Sequence, residues 1–407
     1  MMPTPNVYLE NENNLYEHLE TPLKSKEVQV FYVTDRTPEQ KENGDVYYGS
    51  GRSASVAFGI TTVDLGIDMS WEDLVKASRS EKRLNPVKLK LSTVHELVRT
   101  PPTPLPYTLV GGKVVVDPDM AAQLEEATGE FKRALMHQLE LTPRKDVFIY
   151  IHGYHNTFDD AAFALAELWH FIGRVGVPII YSWPAGYPGL FGYTYDRESS
   201  EFTAYHLRKF LELIAEFEEV ERIHLIAHSR GTDLALAVLR DLTLSARAAG
   251  LDPKKHFKIH NFILAAPDLD LQVAEQRIVG DKLDLSVGRF TIYTSPEDKA
   301  IGIASQLFAS PRGRLGTFGI DGIPETIKTH LQNETPNFAI INFDGAPDSS
   351  LDSYGHSYFR NSPDVSSDLV LMLRDDLDPG TTGRPLIPLD FMFWRIPKGY
   401  PGGNTIE

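Results

Sequence analysis

Six short apolar runs, each stopped by a polar or glycine corner, limit what this chain can fold into: "DVFIYIHG", "VPIIYSW", "RIHLIAHS", "NFILAAPD", "RFTIYTSPED" and "NFAIINFDG". They are rich in β-branched and aromatic residues, and most are separated by helical patterns. Strands that are apolar along their whole length cannot leave one face in water. Alternating with helices, they predict an α/β architecture, a doubly wound and mostly parallel central sheet with helices on both faces. Before them, "DMAAQLEEATGEFKRALMHQLEL" spaces Leu124, Phe131, Leu135 and Leu139 for a helix that Asp117 or Asp119 can cap. Two earlier strands are expected at "VQVFYVTDR" (28–36) and "ASVAFGITTVDLG" (54–66).

Domain boundaries follow from where this pattern fades. Residues 1–26 are polar and read as a loosely held N-terminal arm. Residues 27–375 read as one α/β domain. Within it, 69–118 carries a weak signal and the Pro-rich "RTPPTPLPYTLVGGKVVV", an insertion or an extra hairpin. Residues 376–407, with "DPGTTGRPLIPLDFMFWRIPKGYPGG", read as an extended tail over the surface. About twenty residues separate Asp268 from the next strand, too few for a large cap domain, so the site is expected to be open.

Composition excludes several chemistries. The chain has no cysteine, which removes disulfides, thiolate metal sites and cysteine nucleophiles together. Its net charge of −16, with no basic block, argues against a nucleic-acid partner. No apolar run is long enough to span a membrane. The opening "MMPTPNVYLENENNLYEHLE" lacks the apolar core of a signal peptide. A cytoplasmic location is the default expectation, and a secreted one if a signal has been removed. No stretch has the H-E-x-x-H form of a zinc site, and His152 with His155 lacks a third ligand; no metal and no cofactor are expected.

In open parallel sheets, ligands gather beyond the carboxyl ends of the strands. There the sequence supplies a serine, then acids, then a histidine, the chain order of an α/β-hydrolase triad. Ser229 sits in "AHSRG" between a strand and a helix, with small residues two before and two after it, as a tight elbow requires. A serine that merely caps the next helix would look the same in isolation. His356, in "DSYGHSYF" after the last strand of the series, is the candidate base. Asp298 in "YTSPED" is the candidate acid, and Asp268, one strand earlier, is the alternative. "FIYIHGYHNTF" offers a backbone turn after a strand; the amides of Tyr154 and Arg230 are the expected oxyanion donors. Trp183 and His155 are candidate pocket residues, with core packing the plain alternative for the tryptophan. In "YDRES", Asp196, Arg197 and Glu198 read as a charged helix start rather than as catalytic groups. His228 reads as the last residue of its strand, and Arg230 as chiefly an amide.

Taken together, "VFYVTDR", "FIYIHGYHNTFDDAA", "YSWPAG", "GYTYDRESS", "IHLIAHSRGT", "PEDKAIGIASQLF", "RLGTFG" and "GHSYF" resemble a bacterial family of largely uncharacterised α/β-hydrolases regarded as serine esterases. The resemblance spans about residues 28–375. It implies the α/β-hydrolase fold with Ser229, Asp298 and His356 as the triad, the family's "DKA" and "GHSYF" anchors falling on the last two. It departs at His155, where the family more often carries asparagine.

The expected function is therefore a serine hydrolase cleaving carboxylic esters of small molecules through an acyl-enzyme. Amidase, thioesterase or acyltransferase chemistry on the same triad is the neighbouring alternative. A hydrolase-fold scaffold that binds without turnover is the alternative from another class. Aspartate-nucleophile chemistry is disfavoured by the serine at the elbow.

Overall fold

The structure is a computed structural model that describes residues 1–9, 15–17, 19–40, 42, 45–83, 85–189, 191–307, 310–319, 337–345, 354–390 and 392–402. Its strands are β1 (Glu27–Gln40), β2 (Val46–Leu65), β3 (Leu89–Arg99), β4 (Tyr107–Val110), β5 (Lys113–Val116), β6 (Asp146–Ile151) and β7 (Val177–Ser182). They continue as β8 (Arg222–His228), β9 (Ile259–Ala265), β10 (Arg289–Thr294), β11 (Phe338–Asn342), β12 (Ile387–Asp390) and β13 (Phe393–Arg395). All but β4 and β5 form one sheet of 11 strands in the order β12-β13-β11-β10-β9-β8-β6-β7-β1-β2-β3. The pairings from β1 through β13 in the middle of that order are parallel. β2, β3 and β12 run antiparallel at the edges.

Every residue of β6, β7 and β10 is buried, as parallel strands covered on both faces must be. Alternation along β6 sends Ile149 and Ile151 to one face and Phe148 and Tyr150 to the other. The first face is covered by Phe131 and Leu135 of α2 (Pro118–Glu140), Phe210 of α4 (Gly192–Glu216) and Leu234 of α5 (Gly231–Ala248), with α1 (Trp71–Ala77) before α2 and α3 (Phe158–Phe171) between α2 and α4. The second face is covered by Leu165 and Trp169 of α3 and by Leu369 and Leu373 of the helix Pro363–Asp375. Asp117, one of the two candidate caps, accepts from the amides of Asp119 and Met120 at the start of α2.

The segments outside the apolar pattern are more firmly held than their composition suggests. Of the N-terminal residues described, Met2, Tyr8, Tyr16, Leu19 and Leu23 are buried against the second face. The Tyr16 ring stacks on His170 at 4.8 Å, Tyr8 donates to the Phe171 carbonyl, and Asn6 reaches Asp364 at 2.6 Å. The expected loose arm is thus packed; its aromatic residues are too irregularly spaced to stand out among polar neighbours. In the 69–118 segment, β3 lengthens the main sheet and β4–β5 stand apart as a two-stranded ribbon. The tail contributes β12 and β13 to the opposite edge, and Arg384 pairs with Asp368 at 2.8 Å with both side chains fully buried. Its last residues, 403–407, lie outside the described part, as does most of the loop before His356. Among the described residues, no helix is long and apolar enough to cross a membrane.

Buried histidines make the fold acid-sensitive. Burial lowers His224 to about 4, with Asp146 opposing it, and His152 to about 3, with Arg36 reinforcing it; His170 and His228 lie well below the ordinary histidine value for the same reason. The folded pKa values therefore lie beneath the unfolded value of about 6.5. Between there and about pH 4 the unfolded chain binds protons that the folded chain refuses, so stability falls as pH falls. Each such histidine contributes a slope of about 1.4 kcal/mol per pH unit. Thermal melting should show the midpoint dropping steadily from pH 6.5 to pH 4; a flat midpoint across that range would contradict the assignment.

Candidate active site

The chain runs from β6 to β7 on one side and from β8 to β9 on the other, so the winding reverses between β6 and β8. The crevice beyond their carboxyl ends is where such sheets bind ligands. Ser229 follows the last residue of β8 there, and α5 begins two residues later. Its φ is 53°, a left-handed conformation that a serine adopts at a cost of about 1–3 kcal/mol. The turn is held by the Ser229 amide donating to Ala265 at 3.0 Å and by the Thr232 hydroxyl donating to the Ser229 carbonyl at 2.6 Å.

The small residues around the serine have steric causes. A Cβ at Gly231 would lie 2.3 Å from the His152 carbonyl oxygen, and one at Gly153 would lie 2.7 Å from the Ser229 Cβ. The loop after β6 therefore presses directly on the elbow. Ala227, in place of the usual first glycine, is fully buried within β8 and its methyl is accommodated.

His356 and Asp298 meet at this end of the sheet. His356 Nδ1 and Asp298 Oδ2 are 2.7 Å apart, the acid fully buried and the histidine partly exposed. The other Asp298 oxygen accepts from the Ile301 amide at 3.0 Å, capping the helix Lys299–Leu307. Both oxygens of one carboxylate are thereby fixed. His228, the residue before Ser229, packs its ring 4.8 Å from that of His356 and lies 3.3 Å from the His356 carbonyl through Nε2. His228 thus does more than end a strand: it seats His356 beside the elbow.

Asp268, the alternative acid, is engaged elsewhere. It forms a buried ion pair with Arg314 and accepts from the Tyr193 hydroxyl at 3.1 Å. Burial, joined by the Asp268 carboxylate, pushes the Tyr193 phenol up to about 12, so it remains a donor. The Arg230 guanidinium is spent on Asp233 at 2.8 Å, which leaves its backbone as the part facing the turn.

The loop from His152 to Asn156 is braced from below. Trp183, a candidate pocket residue, is fully buried: its ring stacks on His152 at 5.1 Å and its indole donates to the His152 carbonyl at 2.8 Å. It supports the loop and has no surface to offer a substrate, which corrects the pocket reading. Arg36, also buried, donates to the carbonyls of Asn156 at 2.8 Å and Ala185 at 2.9 Å. Asp196 accepts from the amides of His155 and Gly186, each at 3.1 Å. His155 is exposed with φ 58°, and Tyr154, 37% exposed, stands 5.3 Å from the Tyr193 ring. Among the described residues, neither the Tyr154 nor the Arg230 amide is spent on a carbonyl of the turn.

Arg36, Asp196 and His228 are the positioning residues that sequence reasoning did not assign. The signals were a charged pair ending the apolar run of β1 and a charge cluster near a helix start, each ordinary by itself. Among the described residues, no group of three or more His, Asp or Glu side chains is arranged to hold a metal.

Residues 127–374 match the family model described as an alpha/beta hydrolase of unknown function (DUF900). No curated protein matches the sequence. Among solved structures the chain is similar to an esterase of Pyrobaculum calidifontis, at 10% identity over 58% of this chain and 78% of that one, with a TM-score of 0.31. Similarity extends to ESTFA in an Fe-lacking apo form, at 16% identity over 57% and 76% of the two chains, TM-score 0.28. It also extends to esterase B of Lactobacillus rhamnosis inhibited by a tributyrin phosphonate, at 15% identity over 41% and 61%, TM-score 0.24.

Proposed function

The chain belongs to the alpha/beta hydrolase family of unknown function DUF900, and from that premise we propose that it is a serine hydrolase cleaving carboxylic esters through an acyl-enzyme. The observation that carries this reading is the 2.7 Å contact between His356 Nδ1 and Asp298, beside a serine held at positive φ on the elbow. A hydroxyl becomes a useful nucleophile only when an imidazole takes its proton, and a carboxylate on the far nitrogen fixes the required tautomer.

In the proposed sequence, Ser229 Oγ attacks the ester carbonyl carbon as its proton passes to His356 Nε2. The carbonyl oxygen becomes an oxyanion held by the amides of Tyr154 and Arg230. Collapse breaks the bond to the leaving alcohol, which takes the proton from His356. Water then adds to the acyl-serine by the same route and releases the acid. Esters are favoured over amides because an alkoxide leaving group demands less of the general acid. Tyr154 and Tyr193 are the aromatic rings placed to meet the substrate.

A panel of nitrophenyl esters of increasing acyl length, run beside labelling with a fluorophosphonate probe, tests the reading. We expect turnover of at least the short-chain esters and a single covalent adduct on the peptide containing Ser229. No turnover of any ester and no adduct would instead support a binding scaffold.

A further inference from the structure

The β4–β5 ribbon stands outside both cores, and its register separates an apolar face from a mixed one, on which Val110 and Val115 are also exposed. Tyr107 pairs with Val116 and Leu109 with Val114, so these four side chains share one face. Thr108 with Val115 and Val110 with Lys113 share the other. The first face is wholly apolar yet exposed: Tyr107 by 61%, Leu109 by 67%, Val114 by 63% and Val116 by 37%. Its tip, Gly111-Gly112, is in the open, since a Cβ at either position would meet nothing within 4 Å. A lone two-stranded ribbon is marginal in water, so an apolar face of this kind calls for a covering.

The fold sets the base of this ribbon at the end of the sheet that carries the site. α2 is joined to the start of β6 by residues 141–145, so it runs antiparallel to β6 and its first turn points toward the carboxyl ends of the strands. Its 23 residues extend about 34 Å, against about 20 Å for six-residue β6. The Asp117 amide, at the N-cap of α2, donates to the Pro106 carbonyl at 2.8 Å and fixes the ribbon's base there. The base of the ribbon therefore lies at the end of the sheet that carries Ser229 and His356.

We propose that the Tyr107, Leu109, Val114, Val116 face docks on a zwitterionic phospholipid surface, bringing the site to ester substrates held there. A second copy is a poorer occupant: the four side chains offer roughly 400 Å² per copy, about half of what a standard protein interface needs from each partner. An anionic membrane is disfavoured because the chain carries −16 and residues 107–116 hold only Lys113 as a charge. Lying flat, the ribbon buries its apolar face, turns the mixed face of Thr108, Val110, Lys113 and Val115 toward water, and leaves its backbone edges at headgroup depth where water satisfies them. Tyr107 has the apolar body and polar tip suited to that boundary.

This inference goes beyond the hydrolase reading and is tested without turnover. The full chain is floated with phosphatidylcholine vesicles on a density gradient. Wild type and Ser229→Ala should float alike, and the double variant Leu109→Ser, Val114→Ser should lose at least tenfold in partition. The opposite-face double variant Val110→Ser, Val115→Ser should lose less than threefold. Unchanged melting midpoints verify folding, and replacing part of the lipid by phosphatidylglycerol should weaken binding. Failure of wild type to float, or equal loss from both faces, overturns the proposal. So does a wild-type dimer that the Leu109→Ser, Val114→Ser variant splits while vesicles bind neither protein, which would give the face to a second copy.

Discussion

Ser229→Ala is expected to lower kcat on a nitrophenyl ester by roughly three to six orders of magnitude, with KM within a few-fold of wild type. The substitution removes one oxygen and keeps the Cβ, so the elbow, the packing of Gly153 on it and the Thr232 contact to its carbonyl all persist. What is lost is the atom that forms the acyl bond. A companion variant separates chemistry from fold. Glycine tolerates the φ of 53° that strains any residue with a Cβ. Ser229→Gly should therefore be equally inactive and more stable, by about 1 kcal/mol in chemical denaturation. Full activity in Ser229→Ala would remove the nucleophile from this position, and a less stable Ser229→Gly would mean that the elbow is not strained. The pair of results measures how far the backbone is bent to present the hydroxyl.

The sheet was legible because parallel strands announce themselves: β6 to β11 are mostly apolar, and each stops at a corner residue. Ser229 was legible for a related reason. The close approach of β6 and β8 admits only small side chains, and Gly231 with Ala227 records that crowding in the sequence. His356 and Asp298 could be ordered along the chain, but their contact depends on two loops meeting across 58 residues, which no local pattern encodes. Trp183 misled because a large aromatic at a strand end is equally suited to line a pocket or to brace a loop. Its indole N–H has a buried partner in the His152 carbonyl, and that settles it beneath the loop. The supporting shell was the least legible part. Arg36 donates to backbone carbonyls of other segments and Asp196 accepts from backbone amides, and backbone partners leave no mark in a sequence. The same holds for the N-terminal residues, whose burial is decided by α3 and the helix Pro363–Asp375, more than a hundred residues away.

The two candidate acids are distinguished by opposite responses to the same substitution. Asp298→Asn should retain the fold, because an amide oxygen can still accept from Ile301 and cap the helix Lys299–Leu307. Its amide nitrogen would then face His356 Nδ1 and donate to it. That favours the tautomer with the proton on Nε2, where it cannot accept from Ser229, and kcat should fall about 10⁴-fold with little change in melting. Asp268→Asn acts on a different account. It removes one charge from the buried Asp268 to Arg314 ion pair, a loss of about 3–5 kcal/mol, while the His356 to Asp298 contact is untouched. Its folded fraction should therefore hydrolyse the ester within about tenfold of wild type at reduced temperature, since near the site Asp268 contacts Tyr193 and Arg314 and not His356. Activity and melting midpoint, measured on both variants, give a crossed pattern: one catalytic loss with stability kept, one stability loss with catalysis kept. If Asp268→Asn proved the inactive variant and Asp298→Asn the merely unstable one, the acid would be reassigned to Asp268.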